Sequence, residues 1–77
     1  MFGNICGLKI KLLREKLGWS QVELAAALSV DSGIKIEQSD ISEIERRSRG
    51  VRDYELRAFA DAFSVSADFL LEDNSND

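Results

Sequence analysis

The stretch Ser20–Leu28, SQVELAAAL, decides how the chain folds. Ser20 and Glu23 are spaced as a capping box, in which each side chain accepts from the other residue's free backbone amide. The apolar positions that follow recur at helical spacing, and they are Val22, Leu24, Ala25 and Leu28. The run of alanines favours a helix and lets a second helix approach closely. The sequence therefore predicts a packed helix over residues 21–28.

A first helix is predicted over residues 5–17. Asn4 is suited to cap its start, and Gly18 is suited to the position after its end. Its inward face is expected to hold apolar residues at spacings of three, four, one and four, namely Ile5, Leu8, Leu12, Leu13 and Leu17.

Residues 29–38 interrupt the helical pattern. Asp31, Ser32 and Gly33 indicate a turn. Ile34 and Ile36 then alternate with polar residues, as in a short extended segment. A third helix is expected to follow with Ser39 as its cap.

Two further helices complete the chain. Asp53 is expected to cap a helix over 54–63, and Ser66 a short one over 67–71. The predicted fold is all-α, a compact bundle of five helices. Its core is expected to include Trp19 and the three phenylalanines of the last two helices, Phe59, Phe63 and Phe69.

The composition narrows the function classes. The chain has 77 residues, no histidine and a single cysteine, Cys6. Without histidine no imidazole base and no Cys/His metal site can form, so we expect no enzyme, no metal and no cofactor. A lone thiol fits the reducing cytoplasm, and Cys6 is interpreted as a small apolar residue. No apolar run approaches the roughly 18 residues of a membrane span.

The charge is acidic overall but unevenly placed. The net charge is −4, yet residues 46–57 carry five arginines against two acids. In DISEIERRSRG, Asp40–Gly50, acids precede arginines. A helix dipole favours that order, and arginines also bind phosphate. One domain over 1–71 and a disordered acidic tail over 72–77 are expected.

Several motifs, in order, resemble the Cro/CI-type (XRE-like) helix-turn-helix family of bacterial and phage regulators. They are LLREKLGWSQVELAAAL, SDISEIE and DYELRAFADAFSVSADFLL, and they cover about residues 8–71. The resemblance implies a lambda-repressor-like DNA-binding domain, in which the second and third helices form the helix-turn-helix. The link between them is about six residues longer than usual, so an extended turn is expected.

The resemblance also implies roles for individual residues. Gln21 matches a contact to DNA phosphate, and Arg14 and Glu45 match an ion pair between the first and third helices. Positions that face base edges are matched by Gln38, Ser39, Asp40, Ser42 and Glu43. Positions that lie along the phosphates are matched by Arg47, Arg49 and Arg52. Two roles are open for Arg46: a contact with DNA, or a local ion pair with Glu43 or Glu45.

The leading hypothesis is a cytoplasmic transcriptional regulator, a repressor that binds double-stranded DNA as a homodimer with its third helix in the major groove. The acids of that helix depart from the family pattern. Carboxylates near phosphates weaken DNA binding, so these acids leave a second function open. The alternative is a protein-interaction or antitoxin-like module on the same fold, with a protein partner and little affinity for DNA.

Overall fold

The computed structural model describes residues 6–72. It contains five helices: α1 (Gly7–Lys16), α2 (Gln21–Ser32), α3 (Gln38–Glu45), α4 (Asp53–Phe63) and α5 (Ala67–Leu71). The predicted all-α fold is confirmed. The predicted cap Asn4 and the tail from residue 73 onward lie outside the described residues, and Glu72 follows the end of α5.

The capping box of α2 is confirmed. The Glu23 amide donates to Ser20 Oγ at 3.1 Å, and the Ser20 amide donates to Glu23 Oε1 at 2.7 Å. However, α2 runs to Ser32, one turn beyond the predicted end at residue 28. Gly33 ends it in the left-handed conformation, with φ 68°. Most of the apparent insertion is therefore helix, and only residues 33–37 link α2 to α3.

The predicted inward face of α1 is wrong at Leu8, Leu12 and Leu17, whereas Leu13 packs against the core as predicted. Ile5 lies outside the described residues. Cys6 and Ile10 are fully buried, whereas Leu8 and Leu12 are more than half exposed, as is Leu17 just after the helix. Both pairs, 6 with 10 and 8 with 12, have the four-residue spacing of a helix face, so periodicity alone could not separate them. The predicted glycine at the helix end is confirmed, because Gly18 has φ 75°.

The start of α3 also differs from the prediction. The cap is Glu37 and not Ser39. Asp40 stabilises this start, because its Oδ2 accepts a hydrogen bond from the Glu37 amide at 2.9 Å. The preceding segment is not a strand, but Ile36 is buried and Ile34 packs against the core, as the alternating pattern indicated.

Helix α4 begins one residue earlier than predicted, with Arg52 at the cap position and Asp53 inside the first turn. Its third residue, Glu55, reaches back to accept from the Arg52 amide at 2.9 Å. The cap of α5 is as predicted, since Ser66 Oγ accepts from the Phe69 amide at 3.0 Å.

The core joins all five helices around Phe59, which is fully buried. Phe63 lies between Phe59 and the half-buried Trp19, with ring centroids 6.3 Å apart in both pairs. Phe69 departs from the predicted core, because it remains 37% exposed and Lys9 lies 4.4 Å above its ring. Burying each large apolar side chain stabilises the fold by about 1.5–3 kcal/mol. Within residues 6–72 no helix has the length and hydropathy to cross a membrane.

Candidate nucleic-acid interface

A buried ion pair docks α3 against α1. Arg14 Nε donates to Glu45 Oε2 at 2.6 Å, and Nη2 donates to Oε1 at 3.0 Å. The side chains are only 11% and 4% exposed. The hydrogen bond to Glu45 raises the pKa of the Arg14 guanidinium further above its ordinary value, so the cation is permanent. These are the two side chains that the resemblance pairs.

The pair belongs to a longer polar network. Gln21, the first residue of α2, donates to Glu45 Oε1 at 3.1 Å, and Gln38 donates to Gln21 Oε1 at 2.6 Å. Arg14 Nη1 also donates to the Trp19 carbonyl oxygen at 2.7 Å. The start of α2 is thereby joined to both ends of α3. Only Arg14 and Glu45 are largely buried, and buried polar groups that are fully hydrogen-bonded fix one arrangement of the elements they join.

The outward face of α3 is polar. Ile41 and Ile44 are fully buried and define the inward side. The opposite side is formed by positions three or four apart, namely Ser39, Ser42 and Glu43, and it is continued by Arg46, the residue just after the helix. Gln38 and Asp40 lie at its two flanks. Asp40 and Glu43 are the two acids that the resemblance places near the bases. Asp40 accepts a hydrogen bond at the helix start, so only Glu43 belongs to the outward face.

Arg46 is the residue of this face that the sequence prediction did not assign. Its Nη1 donates to Ser42 Oγ, and not to either glutamate considered from the sequence. Its spacing of four from Ser42 and of seven from Ser39 was the available signal. The sequence left its role open because Glu43 and Glu45 are close enough along the chain to pair with it.

The three arginines assigned to phosphate have different surroundings. Arg47 is exposed, and its side chain forms no hydrogen bond or ion pair within residues 6–72. It also adopts φ 62°, a conformation that disfavours residues with a Cβ. Arg52 is half exposed and lies 3.5 Å from Glu55. Arg49 is bound to Glu55 by two hydrogen bonds, at 3.0 and 2.8 Å.

Glu55 organises the loop that follows α3. Its side chain is 5% exposed, and it accepts from Arg49 and from the Arg52 amide. Burial raises the pKa of this carboxyl, but the hydrogen bonds and the positive charges of Arg49 and Arg52 outweigh burial and leave the pKa below its ordinary value. The carboxylate is therefore ionised at neutral pH and holds the loop in place. Within residues 6–72 no cluster of metal-binding side chains forms.

Two adjacent helices, tied together by the hydrogen bonds from Gln21 to Glu45 and from Gln38 to Gln21 and joined by a five-residue link, define a helix-turn-helix domain. A family model described as "Helix-turn-helix domain" matches residues 6–71. The chain belongs to this helix-turn-helix family, and its motifs place it in the Cro/CI-type (XRE-like) group.

A solved structure of the P22 c2 repressor protein, determined in complex with synthetic operator 9T in the presence of Tl⁺, is similar to this chain. The TM-score is 0.75 and the sequence identity is 26%, over 88% of this chain and 94% of that one. This similarity supports the lambda-repressor-like fold. No curated protein matches the chain at a significant level.

Proposed function

We propose that the protein is a sequence-specific transcriptional repressor that acts in the cytoplasm. It binds double-stranded DNA as a homodimer, with α3 of each protomer in the major groove of one half-site. The observation that carries the proposal is the network from Arg14 through Glu45 and Gln21 to Gln38. It holds α2 and α3 rigidly while the outward face of α3 stays polar and accessible, as reading base edges requires.

The charges around α3 support the same function. Arg47 and Arg52 lie in the segment that follows α3 and retain exposed side chains. Cations at the edge of a recognition helix bind phosphates and fix its register on the duplex. The similar P22 c2 repressor was solved with a synthetic operator, and dimers of this fold bind half-sites about one helical turn apart.

Binding to genomic DNA fragments at several salt concentrations tests the proposal. We expect affinity to fall steeply with salt, because each phosphate contact releases a counterion. Arg47→Ala should lower the slope of log K against log salt by about one per protomer. Arg57→Ala, which removes the same charge from an exposed position on α4, is the matched control. No salt-sensitive binding by the wild type at micromolar protein would refute the proposal.

The alternative is a protein-interaction or antitoxin-like module. The observations that favour it are the net charge of −4 and the carboxylate of Glu43 on the outward face of α3. The hydrogen bond from the Glu37 amide to Asp40 weakens it, because that acid then serves the helix itself. DNA binding whose salt dependence is reduced by substitution of Arg47 and unchanged by substitution of Arg57 would exclude a module without DNA affinity.

A further inference from the structure

We infer that α3 selects G·C base pairs in its operator, with Arg46 binding a guanine and Glu43 accepting from a cytosine in the neighbouring base pair. The inference rests on the proposed function and names the base pairs that this helix reads. Arg46 would donate to guanine O6 and N7. Glu43 would accept from cytosine N4.

Glu43 lies on the outward face of α3, and Arg46, the residue just after the helix, keeps helical backbone angles and continues that face. They are three residues apart, on the side opposite Ile41 and Ile44, which are fully buried. Three residues of helix rise by about 4.5 Å, close to the roughly 3.4 Å between stacked base pairs. The major groove admits a helix in this way, so neighbouring side chains of one face meet neighbouring base pairs.

Arg46 is held in place but retains free donors. Its Nη1 donates to Ser42 Oγ, which lies one turn earlier on the same face. Among residues 6–72 it has no carboxylate partner. A guanidinium has five N–H donors in a planar fork, so those that remain can bind the two acceptors that only guanine presents together in the major groove.

Glu43 is held from the other side. Its carboxylate lies 4.0 Å from Arg49 Nε, and Glu55 fixes that guanidinium through two hydrogen bonds. The nearby cation offsets part of the repulsion between the carboxylate and DNA phosphates. The Glu43 side chain is still 45% exposed, so it can reach a base.

The chemistry of a carboxylate selects cytosine. A carboxylate only accepts hydrogen bonds, and cytosine presents only a donor in the major groove, its N4 amino group. Guanine and thymine would turn acceptor oxygens toward Glu43. Adenine offers its N6 donor beside an N7 acceptor, so it ranks second.

Selection of bound duplexes from a random DNA pool tests the inference. The wild type should enrich a half-site with adjacent G·C pairs, one with guanine and one with cytosine on the strand that α3 reads. Arg46→Met should reduce the guanine preference by about five- to a hundredfold at one position only. Glu43→Gln should reduce the cytosine preference by a similar factor at the neighbouring position and favour adenine, which pairs with a glutamine amide.

Matched controls remove the same charges elsewhere. Glu15→Gln and Arg57→Met alter exposed residues of α1 and α4 and should leave the enriched motif unchanged. Circular dichroism should show that each variant is folded. An enriched motif in which neither variant of α3 changes a base preference would overturn the inference and leave the proposed function standing. Failure of the folded wild type to enrich any sequence would overturn both.

Discussion

Glu45 is the residue on which the docking of α3 depends most. Its carboxylate, 4% exposed, accepts two hydrogen bonds from Arg14 and one from Gln21. Glu45→Gln keeps the shape of the side chain but removes its charge, and it turns an amide NH₂ group toward donors. Arg14 is then left as a largely buried cation without its counter-charge.

The burial of Arg14 and Glu45 sets the expected loss of unfolding free energy in Glu45→Gln. Removing one partner of a buried ion pair costs about 3–5 kcal/mol. Arg14 keeps its bond to the Trp19 carbonyl and is 11% exposed, which favours the lower end of that range. A domain of this size has a free energy of unfolding of about 4–12 kcal/mol. A loss of about 3 kcal/mol should therefore lower Tm by roughly 12–24 °C.

Urea unfolding followed by circular dichroism measures the loss. Glu15→Gln, an exposed glutamate on α1, serves as the control and should change stability by less than about 0.5 kcal/mol. The double variant Arg14→Met/Glu45→Leu leaves no unpaired charge. Its loss of unfolding free energy should therefore be about 2 kcal/mol smaller than the summed losses of the two single variants, Arg14→Met and Glu45→Leu. A Glu45→Gln protein as stable as the control, or strict additivity in the double variant, would refute the reasoning.

Three further predictions concern the loops and helix ends. Folding lowers the pKa of Glu55, so its ionised form contributes stability above the ordinary pKa of 4.5, and this stability is lost as pH falls through the folded-state value. When unfolding is measured at a series of pH values, the free energy of unfolding should therefore fall less steeply toward acid pH in Glu55→Gln than in the wild type. The same pH dependence in both proteins would contradict this. Arg47→Gly should raise the free energy of unfolding by about 0.5–1 kcal/mol, because it relieves a positive φ, while DNA binding weakens in an anisotropy titration; a less stable variant would argue against strain at this position. Gly33→Ala should lower Tm by a few degrees, at a cost of about 1 kcal/mol, since φ is 68° although no atom lies within 4 Å of the added Cβ; an unchanged Tm would contradict it.

The start of a helix could be predicted from the sequence where a local capping pattern marks it. Ser20 with Glu23, and Ser66 before α5, are capping patterns that act within three residues. Local patterns failed where two solutions were available. Both faces of α1 carry apolar residues, and only packing against α3 and α4 decides that Ile10 is buried and Leu8 is exposed.

The site was predictable in type but not in detail. The pairing of Arg14 with Glu45 came from the resemblance, because 31 residues separate them and no local rule joins them. The sequence predicted that the helix dipole favours an acid near the start of α3, but it could not show the hydrogen bond from the Glu37 amide to Asp40, because Ser39 was the predicted cap. Nor could it show that Arg49 is bound to Glu55.

If the protein acts as proposed, the outward face of α3 and the arginines after it meet DNA. An NMR titration of the ¹⁵N-labelled protein with a selected duplex measures this directly. We expect the largest amide shifts at the start of α2 and over residues 38–52, with the exposed Leu8 side of α1 unaffected. Shifts confined to α1, or no shifts at all at saturating DNA, would contradict it.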